Sequence, residues 1–387
     1  MRVVTYNVLS SSLADPWHFP SCKPEFLDKD YRYGKLLEVL EEEVKEGSII
    51  CLQEVSQLWY GKLQAFFTAR GYVFNARLYG GAFNDYMGVG IAAPLSTYEV
   101  TGVHTERVGD MLHMPREPRP SVLVKHWRTV MHDAVYCPLV VALVAWLVYF
   151  GPWSWYKAPL EPIHILGWLI FLLVFKLYNT GRLAPLLRVL RLAPASNFDI
   201  WWESKKRYNN IVAFVLTTKK GGKSFLVSTY HMPCKFQFPD FMVVHSALAL
   251  QWVQRIAKEY AVPYVLLGDF NWKPPDAAYQ LYSTGTVEPS HPHFPKRPEG
   301  MKWTIDVDPV RSAYLEVLGQ EPDFTNNAHV KGCAPFIETL DYIWVSEEWL
   351  IRDVRPLPPR ATAVESGPFP AEHEPSDHVL LWANLSI

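Results

Sequence analysis

Apolar residues in this chain fall mostly into short runs separated by Pro- and Gly-rich stretches, the signature of buried strands with turns between them. Val3-Val4-Thr5-Tyr6 opens the chain as a strand. Residues 33–44 follow with Leu36, Leu37, Leu40 and Val44 at helical spacing, Gly47 as a stop, and Ile49-Ile50-Cys51-Leu52 as a second buried strand. The same order recurs later: a strand at Phe225-Leu226-Val227-Ser228-Thr229, a helix over residues 241–260, and a strand at Tyr264-Val265-Leu266-Leu267-Gly268. Two similar strand, helix, strand halves predict an α/β sandwich, sheet packed on sheet with helices outside.

One stretch breaks this pattern. Residues 134–150 (AVYCPLVVALVAWLVYF) and 163–175 (IHILGWLIFLLVF) are apolar on every helical face apart from His164. Each lies near the short end of the ~17–25 residues that span a bilayer. Between them, Trp153, Trp155 and Tyr156 sit among Pro152, Pro159 and Pro162, a turn whose aromatics suit the lipid–water boundary. The expectation is an inserted hydrophobic helical hairpin over 128–195, dividing one catalytic domain into 1–127 and 196–387. Lys125, Arg128, Lys176, Arg182, Arg188 and Arg191 flank its base, while its tip carries only Lys157 and Glu161. Positive-inside bias then keeps the catalytic body on the cytosolic side, with membrane contact through 134–178. Residues 182–192 (RLAPLLRVLRL) read as a surface-lying stretch interrupted by Pro185. The plainer reading of the insert is a buried helical pair capping the domain.

Composition narrows the function. With 37 Lys+Arg against 39 Asp+Glu in 387 residues, the chain lacks the basic excess of proteins that hold nucleic acid by bulk electrostatics. Contact with nucleic acid must be local. The five cysteines form no CxxC pair and are odd in number, which excludes a zinc knuckle or a full disulfide framework and fits a reducing compartment. The N-terminal residues read as a strand, and no signal peptide is expected there.

Polar residues cluster where apolar runs stop. Asn7 ends the first strand, Glu54 the second, and His231 follows Thr229-Tyr230. Asp269 and Asn271 follow Leu267-Gly268, Asp341 opens Tyr342-Ile343-Trp344-Val345, and Asp377-His378 precede Val379-Leu380-Leu381. Singly, these residues make turns, caps or surface ion pairs. Together they offer hard oxygen ligands suited to magnesium, with two imidazoles and amides able to face a phosphate. The chain holds no GxSxG elbow and no GxxxxGK[ST] loop. Metal-assisted phosphoester hydrolysis remains.

Thr5-Tyr6-Asn7-Val8-Leu9, Cys51-Leu52-Gln53-Glu54-Val55, Gly268-Asp269-Phe270-Asn271, Leu340-Asp341-Tyr342-Ile343 and Ser376-Asp377-His378 together resemble the endonuclease/exonuclease/phosphatase superfamily, whose fold is deoxyribonuclease-I-like and four-layered. Finer matches resemble the branch of carbon catabolite repressor deadenylases, nocturnin and the Angel proteins. These are Tyr31-Arg32-Tyr33-Gly34-Lys35-Leu36-Leu37, Asn209-Asn210-Ile211, Ser312-Ala313-Tyr314, Glu321-Pro322-Asp323-Phe324-Thr325-Asn326 and Glu372-His373-Glu374-Pro375. No leucine-rich-repeat region precedes the catalytic body, so adaptor contacts of that kind are not expected.

The resemblance implies Mg2+, with Mn2+ as a substitute, held principally by Glu54 with support from Asn7 and a further contact from Asp377. It implies that Asp269 orients or deprotonates the attacking water and that Asn271 donates to a non-bridging oxygen. His378, held by Asp341, and His231 would stabilise developing charge. Phe336 occupies the place of an aromatic that stacks on a terminal base, or is a packing residue; Asn210 joins the substrate side. The expected substrate is the 3′ end of RNA, trimmed 3′ to 5′ by a deadenylase-like enzyme. Around the base pocket the chain departs from the family pattern at Phe336-Ile337-Glu338-Thr339 and Tyr230-His231-Met232-Pro233-Cys234. Two other readings stay open: a lipid phosphodiesterase or phosphatase of the sphingomyelinase or inositol-phosphatase type, and a non-catalytic scaffold.

Overall fold

The computed structural model describes residues 1–114 and 199–387. Met1–His113 and Ile200–Ile387 form one compact unit, and the predicted hairpin lies outside the described residues. Among the described residues no helix is long and apolar enough to cross a membrane.

Two six-stranded sheets carry the unit. One runs β13-β14-β1-β2-β4-β3, built from β1 (Arg2–Asn7), β2 (Ile49–Val55), β3 (Tyr72–Leu78), β4 (Gly88–Pro94), β13 (Leu350–Val354) and β14 (Leu381–Ser386). The other runs β5-β6-β7-β8-β12-β9, from β5 (Tyr98–Arg107), β6 (Asn210–Thr218), β7 (Ser224–His231), β8 (Tyr264–Asp269), β9 (Arg311–Ser312) and β12 (Asp341–Val345). A small ladder pairs β10 (Asn326–Ala328) with β11 (Phe336–Glu338). The two strand, helix, strand units read from the sequence are the parallel pairs β1/β2 and β7/β8 at the centres of the sheets; antiparallel strands flank them.

The sheets face each other across a core that mixes Val3, Ile49, Cys51 and Ile91 with Phe214, Val227, Leu267 and Ile343. On the far side of the first sheet, Val4, Tyr6, Ile50 and Leu52 meet Leu36, Leu40, Trp59 and Leu63 from two helices. A strand covered on both faces reads as a continuous apolar run, which is why β1, β2 and β8 carry no alternation. The helix Lys29–Lys45 starts where Asp28 accepts from the backbone N–H groups of Asp30 and Tyr31, and Ser56 caps the helix Gln57–Ala69 through Trp59 N–H. The helix Pro239–Tyr260 lies against β7 and β8, completing the outer layer.

The last strand begins later than its apolar run suggested. β14 starts at Leu381, while His378 sits outside it in an isolated bridge to Asn326. Its backbone N–H goes to Ser376 Oγ at 3.2 Å, because this segment turns into the site before it joins the sheet.

Candidate active site

Register alone assembles half of the site. In the second sheet His231 pairs with Asp269 and Asp269 with Asp341, so three functional side chains form one row across β7, β8 and β12. In the first sheet Asn7 pairs with Gln53, and β2 carries an irregularity between Leu52 and Val55. Glu54 sits inside it at φ +58°. A bulge re-aims a side chain, and here it points the Glu54 carboxylate at the row in the opposite sheet.

Asn7 joins the two sheets. Its Nδ2 donates to Glu54 Oε1 at 3.2 Å and to Asp269 Oδ2 at 3.0 Å, while its Oδ1 accepts from Leu9 N–H at 3.0 Å. Both histidines face the same carboxylate oxygen: His231 Nε2 is 3.5 Å and His378 Nε2 3.7 Å from Asp269 Oδ2. His231 Nε2 is also 3.8 Å from Glu54 Oε1. Asp341 Oδ2 accepts from Thr325 Oγ at 2.7 Å and lies 2.7 Å from His378 Nδ1. Asn271, at φ +53°, gives its backbone N–H to Asp269 Oδ1 at 3.0 Å and its Nδ2 to Met232 O at 2.9 Å. Beneath the cluster, Gln53 bridges the sheets, accepting from Thr5 and donating to Thr229.

The electrostatics are those of a carboxylate-rich pocket short of positive charge. Burial raises Asp269 to about 6; the His378 and His231 charges pull the other way, and Asp341 adds to the rise. Asp377 is likewise raised, chiefly by burial. Burial alone would lower His378, but Asp341, Asp269 and Asp377 outweigh it and hold the imidazole well above its ordinary value. Asp269, Asp341 and His378 could be taken for a metal triad, since one atom of each lies within 4.8 Å of the others. A protonated imidazole whose Nδ1 is committed to Asp341 is a donor rather than a ligand, so we read that trio as an ion-paired relay. Glu54, Asp269, Asp341 and Asp377 gather near His378, His231 and Arg32, and among the described residues buried Asp341 Oδ1 has no hydrogen-bond partner. This donor set of hard oxygens, with charge left over, fits a divalent cation of the magnesium type.

Asp377 reaches the cluster from the loop before β14, where Asn326 Nδ2 donates to its Oδ2 at 3.3 Å. Two sequence candidates lie off the cluster. Asn210 heads β6, donates to Tyr208 O at 2.7 Å and lines a neighbouring cleft of about 320 Å3 with Arg77, Tyr79, Arg107 and Tyr208. Phe336 is 40% exposed on β11; its backbone partner is Ala328, two residues beyond Asn326. Exposure of that size removes it from core packing.

Sequence reasoning gave no role to Arg32, Gln53, Ser10 or Thr325. Arg32 had a signal: with Leu36 and Leu40 it falls at i, i+4 and i+8, a charge on the apolar face of a helix. Thr325 and Gln53 lie inside quoted motifs, but nothing in one dimension shows that they close the network.

A two-sheet sandwich that closes carboxylates, amides and imidazoles at one rim defines a class of phosphoester-cleaving enzymes. The chain belongs to the Endonuclease/Exonuclease/phosphatase family, which matches residues 4–378. Among curated relatives, the CCR4-Not complex 3'-5'-exoribonuclease subunit Ccr4 of Aspergillus niger is 24% identical over 416 residues, covering 100% of this chain and 52% of that protein. Human nocturnin is 25% identical over 202 residues, 51% of this chain and 41% of nocturnin. The chain thus spans about half the length of the curated relatives it matches. Among solved structures, ANGEL2, described as a 2',3'-cyclic phosphatase, superposes with TM-score 0.62 at 16% identity, covering 99% of this chain and 94% of that one. The human nocturnin catalytic domain gives 0.56 at 16%, covering 100% and 93%. Within the family the chain resembles the Ccr4, nocturnin and Angel branch.

Proposed function

We propose that this chain is a divalent-metal-dependent phosphodiester hydrolase that trims the 3′ end of RNA. The observation that carries the reading is the Asn7 amide, which holds Glu54 from one sheet and Asp269 from the other within a single hydrogen-bond step of each other. The match of this chain to about half the length of a Ccr4-type exoribonuclease supports RNA as substrate.

Glu54, Asn7 and Asp377 would hold Mg2+ or Mn2+, which when bound polarises the phosphoryl oxygen and offsets its growing charge. Asp269, raised to about 6, is ionised at neutral pH yet basic enough to accept the proton of an attacking water. That water adds to phosphorus as the P–O3′ bond breaks, and the departing 3′ oxygen takes a proton from solvent, leaving a 3′-hydroxyl on the shortened RNA and releasing a nucleoside 5′-monophosphate. His378, charged and aimed by Asp341, and His231 donate from two sides to the oxygens over Asp269. Asn271, fixed through Met232 O, supplies a further N–H, Phe336 a face for the terminal base, and Asn210 a contact in the adjoining cleft.

The catalytic domain comprises 1–127 and 196–387, and the apolar insert 128–195 tethers it to a membrane with the catalytic body in the cytosol. The two long apolar runs of the insert, with aromatics between them, suit contact with lipid. This favours one second reading, cleavage of a lipid headgroup phosphoester.

Product release from oligo(A), oligo(U) and sphingomyelin, with and without Mg2+, tests both. Mg2+-dependent release of nucleotide from the oligomers, absent in Glu54→Ala, is expected. Release from sphingomyelin alone replaces RNA by lipid, and no release from any of the three, with Glu54→Ala indistinguishable, leaves a scaffold. Membrane fractionation of a form lacking 134–178 tests the tether: loss from the membrane pellet is expected, and unchanged pelleting refutes it.

A further inference from the structure

Arg32 is fully buried in the helix Lys29–Lys45, and every hydrogen bond it makes is to a main-chain carbonyl. Nε donates to Pro375 O at 2.6 Å, Nη2 to Val8 O at 2.8 Å and also to Leu9 O, and Nη1 to Ser10 O at 3.5 Å. Its guanidinium lies 5.0 Å from the centre of the Trp59 ring. Among the described residues it has no carboxylate in ion-pair contact. Burial lowers it to about 10, with Asp377, Tyr6 and Glu54 opposing the fall, so it keeps its charge at neutral pH. A buried cation without a paired carboxylate is costly to keep. What it holds gives the reason.

The carbonyls it gathers belong to two segments far apart in sequence. Val8, Leu9 and Ser10 directly follow Asn7; Pro375 directly precedes Ser376-Asp377. Ser10 N–H donates to Glu54 Oε2 at 3.1 Å, Leu9 N–H to Asn7 Oδ1 at 3.0 Å, and Ser376 Oγ to Asn7 O at 2.6 Å. Leu9 sits at φ +49°, a conformation that a leucine holds only when its surroundings impose it, and its carbonyl is one that Arg32 takes. One planar fork therefore ties the backbone that follows Asn7 to the backbone that precedes Asp377, and through Ser10 N–H the first of these holds the Glu54 carboxylate.

We propose that Arg32 is the positioning residue of the cation site: its guanidinium clamps the Val8–Ser10 and Pro375 backbones so that Glu54, Asn7 and Asp377 converge on one divalent ion. The inference rests on the metal reading of those three residues. A lysine keeps the charge but loses the fork, so Arg32→Lys separates the clamp from simple charge balance.

The test is Mn2+ binding by calorimetry and Mg2+ dependence of activity in the full chain. Wild type, Arg32→Lys and Leu63→Ala are compared, the last a core truncation away from these carbonyls that serves as a control for lost stability. Arg32→Lys is expected to weaken Mn2+ binding about tenfold or more and to raise the Mg2+ needed for half-maximal activity in step. Its kcat at saturating Mg2+ should move much less. Leu63→Ala should lower the melting temperature without changing Mn2+ affinity. Wild-type Mn2+ affinity in Arg32→Lys, or an equal loss in Leu63→Ala, overturns the proposal. Should Arg32→Lys fail to fold, the wild-type side chain decides: its slowly exchanging guanidinium N–H resonances must shift on Mg2+ addition, and resonances unmoved at saturating Mg2+ refute the clamp. A wild type that binds no Mn2+ or Mg2+ overturns the metal reading itself, and the clamp with it.

Discussion

Asp341 Oδ2 lies 2.7 Å from His378 Nδ1, both nearly fully buried, and Thr325 Oγ closes on the same oxygen from the other side. The carboxylate therefore fixes which imidazole nitrogen faces Asp269 and keeps the ring charged. Removing that charge while keeping the shape is the cleanest probe of the relay.

Asp341→Asn should cut kcat/KM by roughly 10²-fold, in the range of a lost general-acid or charge-stabilising group, and it should move the alkaline limb of the pH–rate profile to lower pH. The direction follows because Asp341 is the foremost charge raising His378. The acid limb of the wild type should fall near pH 6, where Asp269 takes up its proton. In stability the sign is fixed: a histidine raised on folding contributes fully below its ordinary value of 6.5 and loses that contribution as pH rises through the folded value. The gap in unfolding free energy between wild type and Asp341→Asn should therefore narrow in alkali. A constant gap would mean that His378 is not held charged.

Divalent cations should stabilise the fold, since they offset buried carboxylates. A Mg2+ concentration 100 times its Kd is worth about 2.7 kcal/mol, seen as a raised melting temperature that a chelator reverses. Glu54→Gln should lose most of that increment and slow hydrolysis about 10²–10³-fold, with little change in the metal-free melt. Equal Mg2+-induced stabilisation of wild type and Glu54→Gln would remove Glu54 from the ion.

Gly268 precedes the catalytic carboxylate for a steric reason. It lies at φ +149°, and a Cβ there would sit 1.9 Å from Tyr230 O across the parallel β7/β8 pair. Gly268→Ala should destabilise by about 3–5 kcal/mol, combining backbone strain with overpacking, as measured by urea unfolding. A loss below about 1 kcal/mol would mean that the strands separate easily at this point.

Much of this is legible in the sequence alone, and the reasons are physical. Strand ends could be read because apolar runs stop where the chain reaches the rim, so Asn7, Glu54, His231, Asp269 and Asp341 were each found from a local break in pattern. What stayed hidden was long-range. The bulge that turns Glu54 depends on pairing with β4, and Arg32 takes its meaning from joining the Val8–Ser10 carbonyls to one 343 positions away in sequence, that of Pro375. Val379 and Leu380 looked like strand because burial, not pairing, makes them apolar: they stay buried beside the site while β14 begins at Leu381.

Phe336 offers the most direct view of the substrate. The ring is 40% exposed on a short ladder that shares Asn326 with Asp377 and His378, so it stands beside the site without supporting the core. A stacked base is worth ~1–3 kcal/mol; Phe336→Ala should thus raise KM for adenine-ended oligomers about 5- to 150-fold while kcat changes little. Because an exposed side chain leaves no cavity, the melting temperature should shift by an amount equivalent to less than about 0.5 kcal/mol. The ladder is held by the backbone pairing of Asn326 with Glu338 and Asn327 with Ile337, so it keeps its register when the ring is removed. Oligomers ending in uracil separate the possibilities: a smaller KM increase than for adenine marks a stacking face with base preference, whereas unchanged KM for both would place the terminal base elsewhere, with the Asn210 cleft the next candidate.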